Sequence, residues 1–158
     1  MKTTAIALIL AAAPTLGTAA GSADVSYPEG YRAWSHVKSM VINAGHPLHE
    51  MVGGLHNIYA NPQAMQGYQN GKQFADGSVI VFDLFEAVDA DHAIAEGKRK
   101  AVIVMEKNAG YGDTDGWGYQ VFDPTTRQPT LDAVGAAGCH GCHTEQKAAD
   151  FVFSAWRE

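Results

Sequence analysis

The run Cys139-His140-Gly141-Cys142-His143 constrains this chain more than any other feature. Its two cysteines are the only ones in 158 residues, and a histidine directly follows the second. Thiols at this spacing lie within one helical turn. Each can form a thioether to one of the two vinyl groups on neighbouring edges of a haem, and the following imidazole can then bind iron from below. Two other readings of paired cysteines fit less well. A structural zinc needs four Cys or His ligands, and no second cysteine pair exists. A dithiol oxidoreductase places its cysteines after an early strand, not near the C-terminus. Cys139 and Cys142 are therefore the expected covalent attachment points of one haem c, and His143 the expected proximal iron ligand. His140, pinned between the thioethers, is expected to face away from iron, at the surface.

The start of the chain reads as a targeting segment. Met1-Lys2 is positive, residues 4–16 (TAIALILAAAPTL) are almost wholly apolar, and small residues follow. This is the layout of a secretory signal peptide over residues 1–20, with cleavage after Ala20 or Ala23. The apolar run is too short to span a bilayer and contains Pro14. Export fits the cysteine motif, because c-type haem is attached outside the cytoplasm. The expected location is the periplasm of a Gram-negative bacterium. The remaining 24–158 suits one haem domain, with no later apolar stretch long enough for a membrane. Formal net charge is −6, and losing Lys2 makes it −7. No basic patch exists beyond Lys98-Arg99-Lys100, a run read as solvated, so no nucleic-acid partner is expected.

Periodicity predicts an α+β fold, an antiparallel sheet with short helices. Strands are expected at 36–42, 55–59, 78–88, 100–105 and 118–122. Asn61-Pro62 predicts a helix start, since Asn caps free N–H groups and Pro suits the first helical position. That helix should end near Asn70-Gly71. A second short helix over 130–137 should lead into the cysteine motif, and residues 150–156 should close the chain as a helical turn or extended segment.

A six-coordinate electron carrier needs a second axial ligand, usually Met or His. The candidates are Met40, Met51, Met65, Met105, His36, His46, His49, His56 and His92. None sits in an isolated loop after the motif. Met40 and Met105 fall in apolar strand patterns and are expected in the core. The preferred reading is therefore an open sixth position.

The chain resembles the cytochrome P460 family, and within it the cytochrome c-prime beta branch. The resemblance covers roughly Tyr31 to Trp156. It rests on Trp34, residues 55–62 (LHNIYANP), residues 74–81 (FADGSVIV), residues 116–119 (GWGY), the Cys139–His143 motif and residues 151–153 (FVF). It implies a homodimer, a sheet with helices, and a haem with a vacant distal side. In hydroxylamine-oxidising members a lysine is cross-linked to the porphyrin at the end of the D-G-x-V-x-V segment; this chain has Phe82 there. The distal acid of those oxidases should fall near Ile103 or Val104, both apolar. Both departures argue against hydroxylamine oxidation, and enzymatic activity is left open. His56 matches a basic distal residue of the oxidases and is a candidate for the distal pocket.

The residues give a parallel argument. By period-two alternation Ile80, Phe82 and Leu84 share one face, and Val79, Val81, Asp83 and Phe85 the other. A face of Ile, Phe and Leu can wall an apolar pocket that takes a neutral gas and rejects an anion. The expected function is a periplasmic monohaem cytochrome with a pentacoordinate, His143-ligated iron. It would bind nitric oxide or carbon monoxide, with possible electron transfer to an unidentified redox partner protein. The rivals are a six-coordinate electron carrier and a hydroxylamine- or nitric oxide-oxidising enzyme.

Overall fold

Alternation in residues 79–84 sets the architecture. In the computed structural model, which describes residue 21 and residues 23–157, Ile80 and Val81 are both buried but belong to separate clusters. The expected signal segment, residues 1–20, lies outside the described residues. Five strands form one antiparallel sheet, as the sequence predicts, and they pair in chain order. They are β1 (Ser35–Ile42), β2 (Gly54–Ala60), β3 (Val79–Ala90), β4 (Ala93–Lys107) and β5 (Trp117–Phe122). The helices are α1 (His49–Val52), α2 (Pro62–Gln69) and α3 (Ala133–His143).

One sheet face presents Ile58, Ile80, Met105 and Tyr119 to Met65 and Tyr68 of α2, to Ala136 of α3 and to Val152. The other presents Val81, Val102, Val104 and Phe122 to Val25, Tyr31 and Tyr111. The sheet thus lies between a helical layer and the polypeptide preceding β1. Each fully buried aliphatic or aromatic side chain contributes about 1.5–3 kcal/mol relative to exposure.

The α2 start follows its sequence signals. The Asn61 side chain accepts from Ala64 N at 2.8 Å and Val79 N at 3.1 Å, so one residue caps α2 and anchors the start of β3. Gly67 lets the segment after α2 fold back on the helix, since a Cβ there would stand 2.3 Å from a Phe74 ring carbon.

Three departures have physical causes. β4 begins at Ala93 rather than near residue 100, because β3 and β4 extend into a largely exposed arm. Its turn residues Asp91 and His92 both have positive φ, 52° and 62°, as a tight hairpin requires. With no core to face, residues 93–99 carry no apolar alternation. Met40, expected in the core, is 42% exposed because β1 is an edge strand; Met105, 9% exposed, is core as predicted. The third departure is α3, which starts at Ala133 and contains the whole cysteine motif. Asp132 sets that start by accepting from Gly135 N at 2.9 Å, a cap that contributes about 1 kcal/mol.

Candidate functional site

Helix α3 carries Cys139 and Cys142 as free thiols, the first half-buried and the second exposed. Burial raises the Cys139 pKa, and the neighbouring Cys142 adds to this, so Cys139 is a thiol at neutral pH. His143 ends the helix. Its Nδ1 lies 2.7 Å from the Phe151 carbonyl oxygen. A carbonyl can only accept, so Nδ1 bears the proton and the Nε2 lone pair is left for a metal. Burial also lowers the pKa of His143, more than the Phe151 carbonyl raises it, which favours the neutral form that ligates. The rings of Tyr119 and Phe153 flank the imidazole at centroid distances of 5.2 and 5.1 Å.

The segment supplying that carbonyl is unusual. A 3₁₀ stretch, Thr144–Ala149, follows α3, and the chain then turns through Asp150 and Phe151 at φ 48° and 64°. Left-handed geometry costs a non-glycine residue about 1–2 kcal/mol. The turn is held from several directions. Asp150 accepts from Phe74 N at 3.1 Å, Lys107 Nζ at 2.8 Å and Trp117 Nε1 at 3.3 Å. Lys72 Nζ donates to the Val152 carbonyl at 3.0 Å.

His140 departs from its expectation. It is 8% exposed, not a surface residue. Its Nδ1 lies 3.1 Å from Tyr119 Oη and its Nε2 3.0 Å from Asp115 Oδ2. Both ring nitrogens thus find partners on the β4–β5 side, which makes burial tolerable. Flanking thioethers set only the direction of this side chain relative to iron; Tyr119 and Asp115, distant in sequence, supply the surface that buries it.

Phe82 lies on the sheet face that carries α3, and both it and Cys139 pack against the same core cluster. Its Cα partner on β4 is Ile103, whose partner on β5 is Val121. All three are only partly buried, leaving an open apolar row across the sheet. Val104, the other position considered for a distal acid, is fully buried on the opposite face. His56 stacks on Phe82, with ring centroids 3.9 Å apart and planes at 19°. It is 1% exposed, and its Nδ1 has no hydrogen-bond partner among the described residues. Burial, and to a lesser degree the Lys38 charge, lower its pKa to about 4, so it is neutral at pH 7. The structure therefore brings Phe82 and His56 together on the side of the sheet that bears α3.

Among the other axial-ligand candidates, His36, His46, Met51 and His92 are exposed, and His49 lies on the short α1. Met65 and Met105 are packed within the core cluster. Sequence reasoning missed Asp115, Tyr119, Asp150 and the Phe151 carbonyl. The alternation of β5, which sends Trp117 and Tyr119 to one face, was a usable signal for Tyr119 alone.

Two free thiols, an imidazole with only Nε2 available and a neighbouring open apolar row fit a covalently attached haem. No significant match is found among curated proteins. A sequence model of the family described as Cytochrome P460 matches residues 28–154. Members of this family bind haem c, an iron porphyrin, covalently. The chain belongs to the cytochrome P460 family and is a haem c-binding cytochrome.

Proposed function

We propose that this protein is a periplasmic monohaem cytochrome that binds small neutral gases, nitric oxide above all. In this reading Cys139 and Cys142 hold the haem, His143 is the sole protein ligand to iron, and Phe82 with His56 lines the distal side. When bound, the haem supplies reversible gas ligation and one-electron redox chemistry.

The observation that carries the reading is the apolar row Phe82, Ile103 and Val121 on the face that bears α3. Phe82 stands where hydroxylamine-oxidising members have a cross-linking lysine, and its Cα partner Ile103 falls near where they have an acid. Neither side chain can accept or deliver a proton. The row supplies no hydrogen bond to stabilise a polar ligand, and nitric oxide needs none. His56, neutral and stacked on Phe82, buttresses that ring without adding a cation. Phe82 crowds the approach and slows ligand entry. These features support the non-oxidising cytochrome c-prime beta branch, and the resemblance to that branch supports a homodimer.

The test is to mix the reduced haem-loaded protein with nitric oxide and, separately, to supply hydroxylamine with an electron acceptor. The reading expects a stable nitric oxide adduct and no turnover. Sustained hydroxylamine oxidation, or a second peptide joined to the Cys139–His143 haem peptide, would overturn it in favour of the oxidase.

A further inference from the structure

Asp150 and Phe151 are neither glycine nor asparagine, yet both occupy left-handed backbone conformations, φ 48° and 64°. Such strain persists only where surrounding contacts over-determine it, and it concentrates at functional positions. Backbone bonds from Asp150 N to Lys147 O and from Phe151 N to Gln146 O close the turn, and the side-chain contacts that hold it converge mainly on one carboxylate. Lys107 from β4, Trp117 from β5 and the backbone N–H of Phe74 all donate to Asp150. The direct product of this turn is the aim of the next carbonyl, that of Phe151, at His143 Nδ1.

From this geometry we infer that Asp150 is a positioning residue for His143. It clamps the left-handed turn, and the turn holds the Phe151 carbonyl where it fixes both the rotation and the electron-donating strength of the imidazole. The inference rests on His143 being the iron ligand. An Nδ1–H that donates to a firmly held acceptor fixes the ring orientation and raises the basicity of Nε2 as a ligand. That favours ferric over ferrous iron and stiffens the iron–imidazole bond. Among the described residues Asp150 makes no hydrogen bond to the imidazole, so its influence runs through the Phe151 carbonyl.

The experiment uses the haem-loaded protein and two readouts that a purely structural role would not move together. They are the ferrous iron–imidazole stretching frequency by resonance Raman and the reduction potential. Asp150→Ala should lower the frequency. It should also shift the ferric-to-ferrous equilibrium about tenfold toward ferrous, about 59 mV for a one-electron couple. Lys107→Met removes the charged partner but leaves the turn residues intact, and should move both readouts in the same direction by less. Asp150→Asn keeps an acceptor oxygen and should restore most of the wild-type values. If Asp150→Ala does not accumulate, Lys107→Met decides the matter. Wild-type frequency and potential in folded, haem-loaded Asp150→Ala and Lys107→Met would overturn the inference while leaving His143 as ligand. Absence of any iron–imidazole mode in the wild-type ferrous protein would instead overturn the ligation itself, and this inference with it.

Discussion

The surroundings of His143 and those of Phe82 are built on opposite plans. Around His143 the chain spends polar contacts freely: the Phe151 carbonyl takes Nδ1–H, Asp150 gathers three donors, and His140 is held by Tyr119 and Asp115. Around Phe82 the contacts are apolar, and a buried imidazole stacked on it, His56, has no partner for Nδ1 among the described residues. Hydrogen bonds are directional and fix geometry, whereas apolar contacts are non-directional and offer a ligand no polar partner. The difference suits a protein that must hold a metal ligand rigidly on one side and admit a small neutral molecule on the other.

The largest effect should come from the attachment residues. With Cys139 and Cys142 both changed to Ala, acidified organic solvent should extract all haem, while either single variant retains one thioether. Intact-mass measurement checks this, and haem retained by the double variant would uncouple the α3 side from the cofactor. Next is the Phe82 side. Phe82→Ala should speed carbon monoxide association about tenfold or more and cost about 2 kcal/mol of stability, since the ring is only partly buried. Equal stopped-flow rates in two fully loaded proteins would reduce Phe82 to a packing residue and erase the contrast.

His56 gives a pH-dependent prediction. Its folded pKa of about 4 lies below the ordinary 6.5, so the unfolded chain binds more protons between those values. Stability contributed by this neutral imidazole is complete above pH 6.5. It falls as pH drops toward 4, by at most about 1.4 kcal/mol per pH unit. Urea unfolding at pH 7.0, 5.5 and 4.5 should show a shallower loss for His56→Phe than for wild type; parallel curves would mean that His56 is not desolvated. The smallest effect is expected at Tyr119→Phe. Removing one partner of His140 should lower stability by about 1 kcal/mol without changing haem loading, and a drop in loading would show that this network is needed for attachment.

How much of this was legible in the sequence differs between the same two regions. Strand periodicity placed Ile80, Phe82 and Leu84 on one face correctly, because side-chain direction in a strand is set by the backbone itself. The start of α2 was readable for a similar reason, since Asn61 and Pro62 act within a few residues. The polar rack was not readable. Asp150 is held by residues 74, 107 and 117, and His140 by residues 115 and 119, all distant along the chain. Left-handed backbone at Phe151 has no local signal either, because a bulky aromatic residue does not prefer it. The outer arm, residues 89–99, escaped because its strands face solvent and show no alternation.

The most direct test of the account is the coordination state of iron in the reduced protein before and after nitric oxide is added. Absorption and resonance Raman spectra of the ferrous protein should show a five-coordinate high-spin centre with an iron–imidazole mode, converted by nitric oxide to a stable adduct. A six-coordinate low-spin ferrous spectrum, unchanged by the gas, would contradict it and make the protein an electron carrier with a second axial ligand.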